Sequence, residues 1–273
     1  MTLYDPQEHR SPAFVYAFDP RVVCLDYLAR AQLILGLPDQ ALATNEEAVG
    51  EARRIGHRNS LALPLFFGGV MRQILCDGKG VKLCAGELAQ ISGEAGFRFW
   101  QAGATILQAW VLADEGEIDR GRTDLQRGVS EWRSTGARYM SPYFAALLAQ
   151  IELKAGNPAA ALQLLEDAQV IIERTNERWF AAEVFRLQGE ALLQLGSEGA
   201  ITAADRFGDA LTTARSQDAR FWELRAAMGL VRIGNAEFNA RERLAEIFSS
   251  FTEGAALPDL KAAQMLAATV GSA

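Results

Sequence analysis

Residues that end helices recur every twenty positions along most of this chain, at Gly36, Gly56, Gly96, Gly116, Gly136, Gly156, Asn176 and Gly196, with Gly78 slightly out of step. Gly and Asn accept the left-handed backbone conformation that closes a helix, so an even series of them marks evenly spaced helix ends. The pattern reads as helix, turn, helix, turn, with a two-helix unit of 40 residues. A period of this size belongs to stacked arrays, in which each unit buries its apolar face against its neighbours, rather than to a globular enzyme.

Other residue types keep the same phase. Seven positions before four of the stops stand Ala29, Ala109, Ala149 and Gly189. Eight positions before the stops of the second helices stand Ala48, Gly128, Ala168 and, after a two-residue insertion near Glu198 and Gly199, Ala210. A small residue at a fixed place lets two helix backbones approach closely, as a tightly packed helical hairpin requires. A third recurrence marks the start of each new pair: Phe97 to Gln101, Ala137 to Ser141, Glu177 to Ala181 and Ala219 to Glu223 each place an Arg before two large apolar residues. Aromatic residues at this spacing pack a first helix against the preceding pair. The alternative is functional: Arg98, Arg138, Arg178 and Arg220 form a basic ladder along one edge of a groove, since side chains repeated once per unit line up in space.

The expected fold is therefore all-α, an α-α superhelix of about six antiparallel pairs. Residues 1–18 form a leader, and 19–273 the repeat domain. Asp19 is the expected N-cap of the first helix, with Pro20 at its first position, where a missing N–H costs nothing. The pairs fall at about 20–56, 57–96, 97–136, 137–176, 177–218 and 219–254, and a capping helix at 258–269 covers the last apolar face. Gly68 and Gly69 lie inside the third helix and predict a bend or a close helix contact there. The stretch from Cys76 to Lys82 carries a Gly-Lys pair but lacks the flanking residues of a phosphate loop, and reads as an interhelical loop.

Composition narrows the function classes. A net charge of -7 argues against a nucleic-acid surface, which needs clustered positive charge. No signal peptide or membrane span is apparent, which points to a cytoplasmic protein. Cys24, Cys76 and Cys84 form no C-x-x-C pair, and the two histidines, His9 and His57, lie far from them, so neither a metal site nor a cofactor is expected. No hydrolase turn or paired carboxylates mark a catalytic site, and the expectation is a non-catalytic protein.

Three segments, FDPRVVCLDYLARAQLILGLPDQAL, STGARYMSPYFAALLAQIELKAGNPAAALQLLEDA and FTEGAALPDLKAAQMLAA, carry a resemblance. The 40-residue pairs look like an enlarged tetratricopeptide repeat, and about residues 14–270 resemble the C-terminal repeat region of bacterial multidomain signalling proteins. In those proteins a nucleotide cyclase or winged-helix domain comes first, an AAA-type ATPase follows and the repeats come last. The resemblance implies a sensor or docking arm that controls upstream domains, and carries over no catalytic residue.

Two functional readings follow. In the first, a peptide or protein partner, including an upstream ATPase or cyclase domain of the same polypeptide, lies in the concave groove. The residues expected to be exposed there are Arg98, Trp100, Arg138, Tyr139, Tyr143, Arg178, Trp179, Glu183, Arg220 and Trp222, with aromatics for rigid apolar area and Arg for forked donors to carboxylates. In the second, a small molecule enters the superhelix and changes its pitch. A groove of aromatics and Arg favours the peptide, and a closed apolar pocket with few polar groups favours the metabolite. Pairing of two copies through the terminal helices is left open.

Overall fold

The computed structural model describes residues 17–196, 200–234 and 239–268. Among the described residues there are thirteen helices and no strands. They are α1 (Pro20–Ile34), α2 (Pro38–Ile55), α3 (Arg58–Ile74), α4 (Gly78–Ala95), α5 (Arg98–Asp114), α6 (Ile118–Ser134) and α7 (Ser141–Lys154). Then follow α8 (Pro158–Thr175), α9 (Ala181–Leu195), α10 (Ala200–Ser216), α11 (Arg220–Arg232), α12 (Ala240–Ser249) and α13 (Pro258–Ala268). Each helix packs against the next, so the chain is an α-α superhelix of six pairs with α13 following the last. No helix of the described residues is long and apolar enough to cross a membrane.

The stops lie where the spacing places them. Gly36, Gly56, Gly96, Gly116, Gly136, Gly156, Asn176 and Gly196 all have positive φ. Gly78 does not end a helix. It opens α4, whose N-cap Asp77 accepts a 3.0 Å hydrogen bond from the Gly80 amide. The left-handed residue of that unit is Cys76, at φ 59°, which restores the twenty-residue register. The Gly-Lys stretch is therefore the first turn of a helix and not a loop. The two-residue insertion at Glu198 and Gly199 lies outside the described residues. Asp19 caps α1 as expected, its carboxylate accepting from the Arg21 and Val22 amides.

Small residues mark the close approaches. A methyl on Gly121 would stand 2.7 Å from Ala113 Cβ and 2.8 Å from the Ala109 carbonyl, so α5 and α6 meet backbone to backbone. Gly69, seven positions before Cys76, belongs to the same phase as Ala109, and a methyl there would meet Leu107 at 2.6 Å. Gly68 abuts the Asn45 side chain, and α3 runs unbroken through both glycines. The outcome at this pair is close contact.

Aromatic residues from the pair openings and from within α3, α6 and α7 form a continuous internal spine. Ring contacts run from Phe18 to Trp100, Phe66 and Trp132, on through Phe144, Tyr143 and Phe180, and end at Trp222, Phe221 and Phe251. Centroid separations along this path are 5.1 to 6.4 Å, the range of favourable edge and offset contacts.

The superhelix turns far enough for its last units to touch its first. Phe251 and Arg220 pack over Gly36. Glu253 accepts 3.1 Å hydrogen bonds from the backbone and side-chain amides of Gln40, and the Gly254 amide donates to Asp39 at 3.1 Å. Beneath this clasp, Phe251 and Leu257 pack against both the main core and the smaller core of α10 to α13, joining the two.

Candidate functional site

Two half-open chambers are formed where early and late units of the superhelix face each other. The first, of about 760 Å³, is walled by the C-terminal halves of α1 and α3, by the turns leading into α7 and α9, and by Gln217 before α11. Its walls are apolar side chains such as Ile34, Val70 and Met71, with four aromatic rings, Tyr27, Phe67, Tyr139 and Trp179.

The turn before α7 brings residues 138–140 to the chamber because Met140 adopts φ 67° and Ser141 Oγ donates to the Arg138 carbonyl. Arg138 Nη1 donates to the carbonyls of Arg133 and Ala137 at 3.0 and 3.1 Å. The next turn is tied to this one by Glu177, whose Oε1 accepts from the Met140 amide at 2.8 Å and Trp179 Nε1 at 3.2 Å. Burial raises the Glu177 carboxyl above its usual value, opposed by those two hydrogen bonds.

On α1, Arg30 lies between Tyr27 and Phe67, 4.2 and 4.0 Å from their ring centroids. Its Nη2 stands 2.8 Å from Asp26 Oδ2, yet neither Asp26 oxygen receives a well-directed hydrogen bond. Asp26 is fully buried, and burial raises its pKa to about 7 against the pull of Arg30. Burial likewise raises the Tyr139 phenol, which feels the charges of Arg30 and Asp26.

The second chamber, about 560 Å³, is ionic. Glu183, only 1% exposed, receives both Nε and Nη2 of Arg186 at 2.8 Å and Nη1 of Arg225 at 3.1 Å. Arg225 also meets Asp259 at 2.7 Å and donates to the Ile74 carbonyl, linking α11 to α13 and to the end of α3. Arg186 pairs with Glu190 at 2.9 Å, and Arg232 closes on the same carboxylate. Tyr143 donates to Gln73 Oε1 at 3.0 Å beside this network. Every buried charge here has an opposite partner, which is the condition for tolerating it.

The expected groove residues therefore separate. Arg138, Tyr139 and Trp179 line the first chamber, and Glu183 the second. Trp100, Tyr143 and Trp222 are not exposed as expected: at 3%, 0% and 1% exposure they belong to the spine. The reason is that the second residue after each Arg, Trp100, Met140, Phe180 and Trp222, is buried, and Tyr143 lies on the buried face of α7. Glu183 also departs from the expected exposure, because two guanidinium groups enclose it. Arg98, Arg178 and Arg220 are exposed and make no ion pair among the described residues. The four arginines are not equivalent in the fold. Arg98 and Arg220 begin their helices, whereas Arg138 and Arg178 stand three residues ahead of theirs in the lead-in turns. Only Arg138 of the four reaches a chamber.

Sequence reasoning missed Tyr27, Arg30, Phe67, Met71 and Gln217, and the pair Arg186 and Arg225. A signal existed for one of them. Asp26 falls on the apolar stripe of Val22, Leu25, Ala29 and Leu33, with Arg30 four residues on, so a paired buried charge was visible. Among the described residues no group of three or more His, Cys, Asp or Glu is placed to hold a metal ion.

A scan against protein-family models finds no match, and a search of curated proteins likewise finds none.

Proposed function

We propose that this chain is a ligand-sensing helical-repeat module that takes a small molecule into the first chamber. The observation that carries this reading is the composition of the chamber wall: residues 27–35 and 67–74 come from the first two pairs, and residues 138–140, 175–179 and 217 from the fourth and fifth. A ligand there touches distant units at once and binds only while they are held together. Such a ligand stabilises the closed turn by mass action, about 2.7 kcal/mol at a hundred times its dissociation constant. The volume falls within the roughly 300–1,000 Å³ of small-molecule sites. The peptide reading draws less support, because the first and last units meet and the aromatic residues expected to line a groove, Trp100, Tyr143 and Trp222, are buried.

In a multidomain signalling protein of the kind this chain resembles, a ligand-set pitch would bias an attached ATPase or cyclase domain, since a ligand shifts an equilibrium by its differential affinity for the two states. The test is thermal stability across a broad metabolite set, for the wild type and for Ile34→Trp, which adds bulk to the chamber wall. The expectation is a stabilising compound that acts on the wild type alone. No shift with any compound, or equal shifts in both proteins, would remove the proposal.

A further inference from the structure

Resting on that reading, we infer that the ligand of the first chamber is an apolar monocarboxylate, its ring or chain among the four aromatic walls and its carboxylate on Arg30 and Arg138. The charge inventory of the lining leads there. Two guanidinium groups and one carboxylate face the chamber, and no lysine does. The carboxylate, Glu177, already accepts from Met140 and Trp179. The Asp26 carboxylate stands behind the wall, fully buried against Arg30, outside the lining.

The guanidinium groups, by contrast, keep donors to spare. Arg138 uses only Nη1, on two backbone carbonyls, which leaves its Nε and Nη2 without a partner among the described residues. Arg30 engages Asp26 through Nη2 and the Asp26 carbonyl through Nε, which leaves Nη1. A neutral apolar ligand would cover these N–H groups and offer them no acceptor, which weakens its binding. A cation would add repulsion. A carboxylate supplies acceptors in the geometry that guanidinium forks prefer. The rings on either side of Arg30 hold it flat in the wall, so little side-chain freedom is lost on binding.

The experiment is calorimetric titration of the full chain with three probes that share one apolar body, 2-naphthylacetate, 2-(2-naphthyl)ethanol and 2-(2-naphthyl)ethylammonium. The expected result is that the carboxylate binds about tenfold more tightly than the alcohol and that the ammonium gives no heat. In Arg138→Gln, with an unchanged melting temperature, the carboxylate advantage falls to about threefold or less. Because Arg30→Gln alone strands Asp26, the second variant is the double replacement Arg30→Gln with Asp26→Asn, and it too loses the advantage. Alcohol binding as tight as carboxylate binding overturns the anionic inference while leaving the chamber reading intact. Binding of none of the three probes overturns both. A carboxylate preference that persists in both variants removes the assignment to Arg30 and Arg138.

Discussion

Replacing Glu183 with Gln tests whether the ionic network of the second chamber holds the turn together. The change keeps the shape and removes one charge from a set in which Glu183, Glu190 and Asp259 balance Arg186, Arg225 and Arg232. Breaking a buried pair from one side costs about 3–5 kcal/mol, because the partner charge stays buried. Here Glu190 remains 2.9 Å from Arg186 and Asp259 2.7 Å from Arg225, so the lower end applies, about 3 kcal/mol. For a chain of this size that corresponds to a melting temperature lower by roughly 6–12 °C.

The dependence on pH has a definite sign. Burial raises the Glu183 carboxyl, but Arg186 and Arg225 outweigh it and hold the value below the ordinary 4.5. The native state therefore binds this proton less readily than the unfolded chain, so the contribution is present above about pH 4.5 and is lost as pH falls through the lowered native value. Denaturation midpoints of wild type and Glu183→Gln are to be compared at pH 7 and at stepwise lower pH. The gap is expected to be full at pH 7 and to close on acidification. A gap below about 0.5 kcal/mol at pH 7, the level of an ordinary surface change, or one that does not narrow in acid, would refute the reasoning.

Four further outcomes are expected. Asp26, raised from 3.8 to about 7, makes the fold lose stability as pH rises between those values, at up to about 1.4 kcal/mol per pH unit, and Asp26→Asn should flatten that slope in urea titrations. Gly121→Ala, which must part α5 from α6, should cost about 1–3 kcal/mol, whereas Gly50→Ala on the open face of α2 should gain roughly 0.5–1 kcal/mol, both by chemical denaturation. Cys76→Gly relieves a left-handed non-glycine residue and should raise stability by about 1 kcal/mol, measured as a shift in denaturation midpoint.

The period was legible because it is written in backbone chemistry. A left-handed stop favours Gly or Asn, and small residues at the helix crossings allow the close approach. Where another residue takes the same conformation, as Cys76 does, composition misleads, and the nearby Gly78 reads as the stop. The chamber was less legible for a different reason. Its wall joins α1 to turns more than a hundred residues away, and superhelical closure, made by Gly36, Phe251, Glu253 and Gly254 and by Arg225 on the Ile74 carbonyl, brings them together. Repetition of Arg before two large residues marked the right turns but not their roles, because aromatic residues serve a spine and a pocket equally well. Trp100 and Trp222 went to the spine, Tyr139 and Trp179 to the chamber.

Closure is the claim on which both chambers depend, and cross-linking across the clasp tests it most directly. In the full chain with Cys24, Cys76 and Cys84 replaced by Ser, the pair Gln40→Cys and Glu253→Cys faces across the contact where Glu253 now accepts from Gln40. A short bifunctional thiol reagent should join the two cysteines within one molecule, rapidly and at high dilution. Labelling of both cysteines without intramolecular cross-linking would mean that the superhelix stands open and that the chamber does not form.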